Sequence, residues 1–171
     1  MTCQPSIVVA YASKKGSTQE VAEAIAETLA GQGYRVDVEA AAEVHALDSY
    51  SGVVLGGALY TGRWHGDARD FLKRHSEALR EIPLAVFAMG PKTLEDADIA
   101  GSRAQLEAAL AKSPDVTAGL AVIFGGVVDP AKLRFPFNRL PASDARDWEA
   151  IREFAEQAGS LFASSAQVVH V

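Results

Sequence analysis

The pattern of apolar periods predicts an α/β chain built as a doubly wound parallel sheet of five strands, order 2-1-3-4-5, with helices on both faces. Two observations carry that prediction. Short apolar runs of strand length alternate with longer helical periods from end to end, with no linker, low-complexity tract or internal repeat between them. Parallel strands need crossovers of about a dozen residues or more, and right-handed crossovers with helices on both faces give an open doubly wound sheet. One domain spanning residues 1–171 accommodates the whole pattern.

Ile7-Val8-Val9-Ala10-Tyr11 is a short apolar run bounded by Pro5 and by the Ser13 to Ser17 turn cluster, as expected of a strand buried on both faces. The period then changes. Val21, Ile25 and Leu29 recur at i, i+4, i+8 with Glu20, Glu23 and Glu27 on other faces, and Gly31 and Gly33 supply stop signals, which predicts an amphipathic helix. Arg35 to Glu39 follows as the second strand. Val53-Val54-Leu55-Gly56-Gly57 is the third, Leu84 to Met89 the fourth and Leu120 to Phe124 the fifth, each closing on a glycine or a glycine pair. Helical patterns cover Ala68–Leu79, Arg103–Lys112 and Ala145–Phe162, the last carrying Trp148, Ile151, Phe154 and Leu161 toward a core.

Composition excludes several classes. Although 49% of the residues are hydrophobic, no stretch approaches the roughly 18 uninterrupted apolar residues of a membrane span. The N-terminus has no basic region before its first apolar run, so it does not read as a signal peptide, and a cytoplasmic location is expected. Sixteen Lys and Arg against 22 Asp and Glu leave a net charge of −6, which argues against a general nucleic-acid binder. Cys3 is the only cysteine, so neither an intramolecular disulfide nor a cysteine-cluster metal site is expected.

In a sheet of this order, ligands bind beyond the carboxyl ends of the strands where strand order reverses, between the first and third strands. The loops at that place are Ala12–Thr18, Ala58–Gly66 and Gly90–Asp98, with the stretch after Phe124 as an outer wall. Ser13-Lys14-Lys15-Gly16-Ser17-Thr18 joins a buried strand to a helix with three hydroxyls, two cations and a glycine. Such a loop suits an anion, because a helix N-terminus offers unpaired N–H groups and glycine lets the backbone approach closely. Ser17-x-x-Glu20 also fits a capping box, in which Glu20 returns a bond to the cap N–H, and the two readings are compatible. Neither G-x-x-x-x-G-K-[ST] nor G-x-G-x-x-G is present, which leaves a mononucleotide. A phosphoacceptor receiver domain would need an Asp at the end of strand three, where Gly56-Gly57 stands.

The first loop resembles that of flavodoxins, of the form [ST]-x-T-G-x-T: Ser13, Gly16 and Thr18 match, while Lys15 replaces the middle threonine. The resemblance covers almost the whole chain in element order. Within that family the chain is similar to the menaquinone-dependent protoporphyrinogen IX dehydrogenases, through Gly56, Gly62 and His65, then Phe71, Lys73 and His75, and Asp147-Trp148. The resemblance implies FMN, its phosphate at Ser13, Lys14, Lys15, Gly16, Ser17 and Thr18. It places the isoalloxazine ring between the loop Ala58, Leu59, Tyr60, Thr61, Gly62, Arg63 and Trp64 and the turn at Met89, Gly90 and Pro91. Tyr60 and Trp64 either lie against an aromatic face or anchor the loop on the sheet edge. Gly62-Arg63 matches the family position at which a glycine lets a peptide turn its carbonyl toward flavin N5. His65 adjoins this loop and is the candidate proton donor or acceptor, whereas His75, flanked by Lys73 and Arg74, reads as part of a solvated helix face.

The dehydrogenases carry a longer basic and apolar insertion after the last strand, where this chain has only Asp129 to Leu140. There Leu133, Phe135 and Phe137 alternate with Lys132, Arg134 and Pro136, which fits a loop packed on the domain or a flap grazing an anionic surface. Membrane contact is expected to be peripheral at most. Two function classes follow: an FMN-dependent oxidoreductase acting on a small, quinone-like or porphyrin-type substrate, and an electron-carrier flavodoxin docking with redox proteins. The absence of carboxylates from Tyr60 to His65, with Arg63 among them, favours the enzyme. A module that has lost flavin is a third class.

Overall fold

The computed structural model describes residues 5–13, 16–60, 63–90, 96–125, 127–128, 143–144 and 146–169. Its five long strands are β1 (Ser6–Ala12), β2 (Arg35–Ala40), β3 (Gly52–Tyr60), β4 (Leu84–Met89) and β5 (Leu120–Phe124). They are parallel and lie in the order 2-1-3-4-5, as the alternation of periods predicts. The helices are α1 (Ser17–Gly31), α2 (Gly66–Arg74), α3 (Ser76–Leu79), α4 (Asp96–Ala111) and α5 (Trp148–Val169). A two-residue strand, Arg63–Trp64, folds back antiparallel on the end of β3, and Val127–Val128 pairs with Ser143–Asp144.

Each face of the sheet has its own core, because alternate residues of a strand point to opposite sides. Ile7, Val9, Val54 and Phe87 pack under α1 and α5, against Val21, Ile25 and Leu29 and against Ile151, Phe154 and Phe162. Val8, Ala10, Leu55 and Val86 pack on the other side, against Phe71 and Leu72 of α2 and Leu106 of α4. The i, i+4, i+8 stripe of α1 is therefore its buried face. Gly33, at φ +97°, turns the chain out of α1 toward β2, whereas Gly31 lies inside the helix.

The glycine pair of the third strand differs from its sequence-level role. Gly56 and Gly57 lie within β3, which runs on to Tyr60, and neither ends it. Their function is steric. A Cβ on Gly56 would fall into the ring of Phe87, and one on Gly57 would stand 2.8 Å from Trp64 Nε1 on the opposite face. Two buried aromatics thus cross the central strand, one above and one below, and each needs a residue without a side chain beneath it. Trp148, expected to face the core, is 47% exposed at the start of α5, while Ile151 and Phe154 are buried as expected.

Gly56→Ala should lower stability by about 1–3 kcal/mol, the usual cost of overpacking a filled core. Gly101→Ala, at an exposed position in α4 with nothing within 4 Å of the added Cβ, should raise it by about 0.5–1 kcal/mol from helix propensity alone. Urea midpoints of the two variants against wild type check both signs; a tolerated Gly56→Ala would show that the Phe87 ring can move aside.

Candidate functional site

β1 and β3 are neighbours, yet β1 leads into α1 on one face and β3 leads into α2 on the other. Their carboxyl ends therefore open a crevice at the point of reversal. On the β1 side, Gly16 occupies the cap position of α1 at φ +85° and, as a glycine, makes no side-chain cap bond. The space where a Cβ of Gly16 would stand has nothing within 4 Å. The capping box expected from Ser17-x-x-Glu20 does not form: the helix begins one residue earlier than that motif requires, and the Glu20 carboxylate pairs instead with Arg146. The first-turn N–H groups have no intrahelical partner in any α-helix, and the cap residue has no side chain to offer them.

Thr18 sharpens this. It is fully buried, and its Oγ1 has no hydrogen-bond partner among the described residues. Leaving a buried hydroxyl unanswered costs about 1–3 kcal/mol. A glycine at the cap, the N–H groups of a helix terminus and an unanswered hydroxyl coincide on one turn, an arrangement that suits an anionic oxygen. Ser13 and Ser17 stand half-buried on either side of the loop. Lys14 and Lys15 lie outside the described residues.

On the β3 side a tight hairpin forms, with Leu59 opposite Trp64 and Tyr60 opposite Arg63. Trp64 is 1% exposed and its Nε1 donates to Gly57 O at 3.0 Å, so its ring is the anchor of the hairpin rather than a face open to a ligand. Arg69 Nε donates to Trp64 O at 3.1 Å and His65 N to Ala58 O at 2.9 Å, which fix the same corner. Arg63 is exposed at the rim. Thr61, Gly62 and Pro91 lie outside the described residues, as does the side chain of Tyr60. Ala58 and Met89 are buried in the core under α1 and α5, which leaves their backbone to border the crevice. Gly90 closes the gap between the two loops: a Cβ there would meet Leu59 Cδ1 at 2.6 Å, and its N–H donates to Phe124 O at 3.0 Å.

The two histidines separate. His65 Nδ1 accepts the Asp67 N–H at 3.1 Å, so the ring caps α2 and this nitrogen carries no proton. His75, expected on a solvated face, is buried at the break between α2 and α3. Its Nε2 lies 3.0 Å from Val44 O and donates to it, because a carbonyl can only accept. Arg74 reinforces the same segment, donating to Val44 O at 3.0 Å and to Ala41 O at 2.9 Å. Burial pushes the His75 pKa down, outweighing the upward pull of the Val44 bond, and the nearby Arg74 and His45 add to the lowering. At the other end of the chain, Asp147 Oδ1 accepts from Glu149 N and Ala150 N, both at 3.1 Å, and caps α5. The stretch Asp129 to Leu140 lies outside the described residues.

Comparison with known proteins assigns the class. The family model described as the flavodoxin domain matches residues 8–140, and the chain belongs to that family. Protoporphyrinogen IX dehydrogenase (quinone) of Escherichia coli K12 is 28% identical over 87 residues, 48% of this chain; the match spans about half, 46%, of that relative. Oxidised flavodoxin 2 of Bacillus cereus superposes with a TM-score of 0.60 at 19% identity, covering 93% of this chain and 98% of that one. The rubredoxin oxygen:oxidoreductase of Desulfovibrio gigas superposes with a TM-score of 0.61 at 15% identity, covering 95% of this chain and 38% of that one. These two likenesses show the fold. No helix among the described residues is long and apolar enough to cross a membrane.

With its pKa lowered in the folded protein, His75 binds a proton more readily when unfolded, where its pKa is about 6.5. Stability should therefore fall as pH drops below about 6.5, by at most about 1.4 kcal/mol per pH unit from this one group, until the folded-state pKa is reached. His75→Gln keeps a donor for Val44 O and should flatten that part of the profile in chemical unfolding between pH 7.5 and 5. Parallel profiles for wild type and variant would contradict the assignment.

Proposed function

We propose that the protein binds FMN, with the phosphate held by the loop from Ser13 through Thr18, and acts as a flavodoxin-like oxidoreductase. The observation that carries this is the buried Thr18 hydroxyl, without a partner among the described residues, on the first turn of α1, whose cap is a glycine. When bound, the flavin supplies the one- or two-electron transfer. This chain's residues supply position and electrostatics. The α1 terminus and Thr18 Oγ1 hold the phosphate dianion, Gly16 lets the backbone approach it, and Lys14 and Lys15 add positive charge. The Ala58–Trp64 hairpin and the Met89–Pro91 turn border the ring, held at a fixed spacing by the Leu59 to Gly90 contact. Tyr60 is left as the aromatic for the ring face, since Trp64 is used as the anchor. Gly62 is the backbone position that responds to the state of the ring. His65 positions α2, and any proton it exchanges passes through Nε2, Nδ1 being occupied.

Arg63, exposed at the rim, with Lys92, Lys132 and Arg134 in the stretches of sequence that follow β4 and β5, favours an anionic substrate, quinone-linked or porphyrin-type, on an otherwise acidic protein. The likeness to a protoporphyrinogen IX dehydrogenase supports that reading over about half of the relative's length. A second reading, an electron carrier, has its own support: flavodoxins superpose over nearly their full length, which fits a protein that exchanges electrons with redox partners. Both keep the protein a single cytoplasmic domain with at most peripheral membrane contact. Steady-state oxidation of protoporphyrinogen with a menaquinone analogue separates them from rapid electron exchange with a protein partner in the absence of turnover.

FMN should bind at least about tenfold more tightly than riboflavin, since one hydrogen bond to a charged oxygen contributes about 1.5–3 kcal/mol. The preference should shrink as salt rises, because exposed lysine charges are screened over about 8–10 Å at 0.1–0.15 M. Fluorescence titrations with both ligands at low and high salt test this; equal affinities would contradict a phosphate site at Thr18.

A further inference from the structure

Glu20 is the acidic residue in the first turn of the helix whose N-terminus is proposed to hold the phosphate. A carboxylate there is a like charge within about one helical turn of the bound phosphate. In the structure Arg146, 126 residues further along the chain, holds it through Nη1 to Oε2. Arg146 is held in turn. Its side chain is only 12% exposed against 59% for Glu20, its guanidinium lies 4.8 Å from the centre of the Trp148 ring, and Asp147 beside it caps α5. This gives the exposed Trp148 a role: it backs the cation that holds Glu20.

We infer that Arg146 is a positioning residue for the cofactor phosphate, favouring the anion at the N-terminus of α1 by holding and neutralising Glu20. The inference rests on the phosphate reading above and adds its control. Arg146 need not touch the ligand. Its effect runs through Glu20, so removing Glu20's charge should make Arg146 dispensable, whereas a direct contact with phosphate, or a merely structural role, would leave its loss uncorrected.

The experiment is a double-mutant cycle in full-length protein freed of flavin, titrated with FMN, with riboflavin, and with FMN against competing inorganic phosphate. Arg146→Ala should weaken FMN by about three- to tenfold, the scale of a carboxylate acting at a helix N-terminus, and leave riboflavin unchanged. Glu20→Gln should bind FMN at least as tightly as wild type, and the double variant should match Glu20→Gln. Arg146→Lys should retain most of the wild-type FMN affinity, and the Arg146→Ala deficit should shrink at high salt. A double variant as weak as Arg146→Ala, or Arg146→Ala losses equal for FMN and riboflavin, overturns the inference while leaving the phosphate site standing. Wild type that fails to prefer FMN to riboflavin overturns the phosphate site and this inference with it.

Discussion

The structure is organised around one unanswered polar group. Thr18 brings a hydroxyl to a fully buried position on the first turn of α1, and no described residue accepts from it or donates to it. Native proteins pair nearly all such groups, so an exception marks strain or a missing partner such as a water or a ligand. Around it, the cap is a glycine in the left-handed region, and the first-turn acid Glu20 is paired with Arg146. On the proposed function, part of the protein's stability is exchanged for a site that an anion completes.

The remainder of the fold keeps that terminus and the loops at the carboxyl edge in fixed relation. β1 and β3 must be adjacent for the crevice to exist, and β3 must pass between two aromatics without side chains of its own at Gly56 and Gly57. Trp64, locked through Gly57 O, folds the chain back as a hairpin, and the absence of a Cβ at Gly90 lets that hairpin touch the turn after β4. Packing on the α2 face therefore sets the geometry of loops at the carboxyl edge. The clamp of buried His75 and exposed Arg74 on the Ala41 and Val44 carbonyls braces the same face from below.

The order of elements was legible in the sequence because periodicity survives in a single chain: all five strands and the buried stripe of α1 follow from it. Most of the missed features depend on groups that the local sequence does not show. Gly56-Gly57 looks like a strand end until Phe87 and Trp64 are seen across it. His75, beside Lys73 and Arg74, looks solvated until the Val44 carbonyl arrives from 31 residues away to accept its hydrogen bond. Ser17-x-x-Glu20 is a sound capping box locally, but the helix starts one residue early on Gly16, and Glu20 pairs with Arg146, 126 residues away. Trp148 looks like core by its helical spacing, yet it lies at the helix start, where the face is not yet covered and Arg146 stacks upon it. The phosphate role proposed for the first loop is visible in the sequence only as residue types. What the fold adds is that Thr18 Oγ1 has no partner among the described residues.

Thr18→Val tests the central claim most directly, because it preserves shape and removes only the hydroxyl. If the hydroxyl is unsatisfied until an anion arrives, the flavin-free variant should be as stable as wild type or up to about 1–2 kcal/mol more so. The same variant should bind FMN at least about tenfold more weakly with riboflavin affinity unchanged, a charge-assisted hydrogen bond having been lost. Unfolding of the flavin-free proteins alongside ligand titration gives both numbers from one preparation. Loss of stability with an undiminished preference for FMN would mean that Thr18 serves the fold and that the phosphate lies elsewhere.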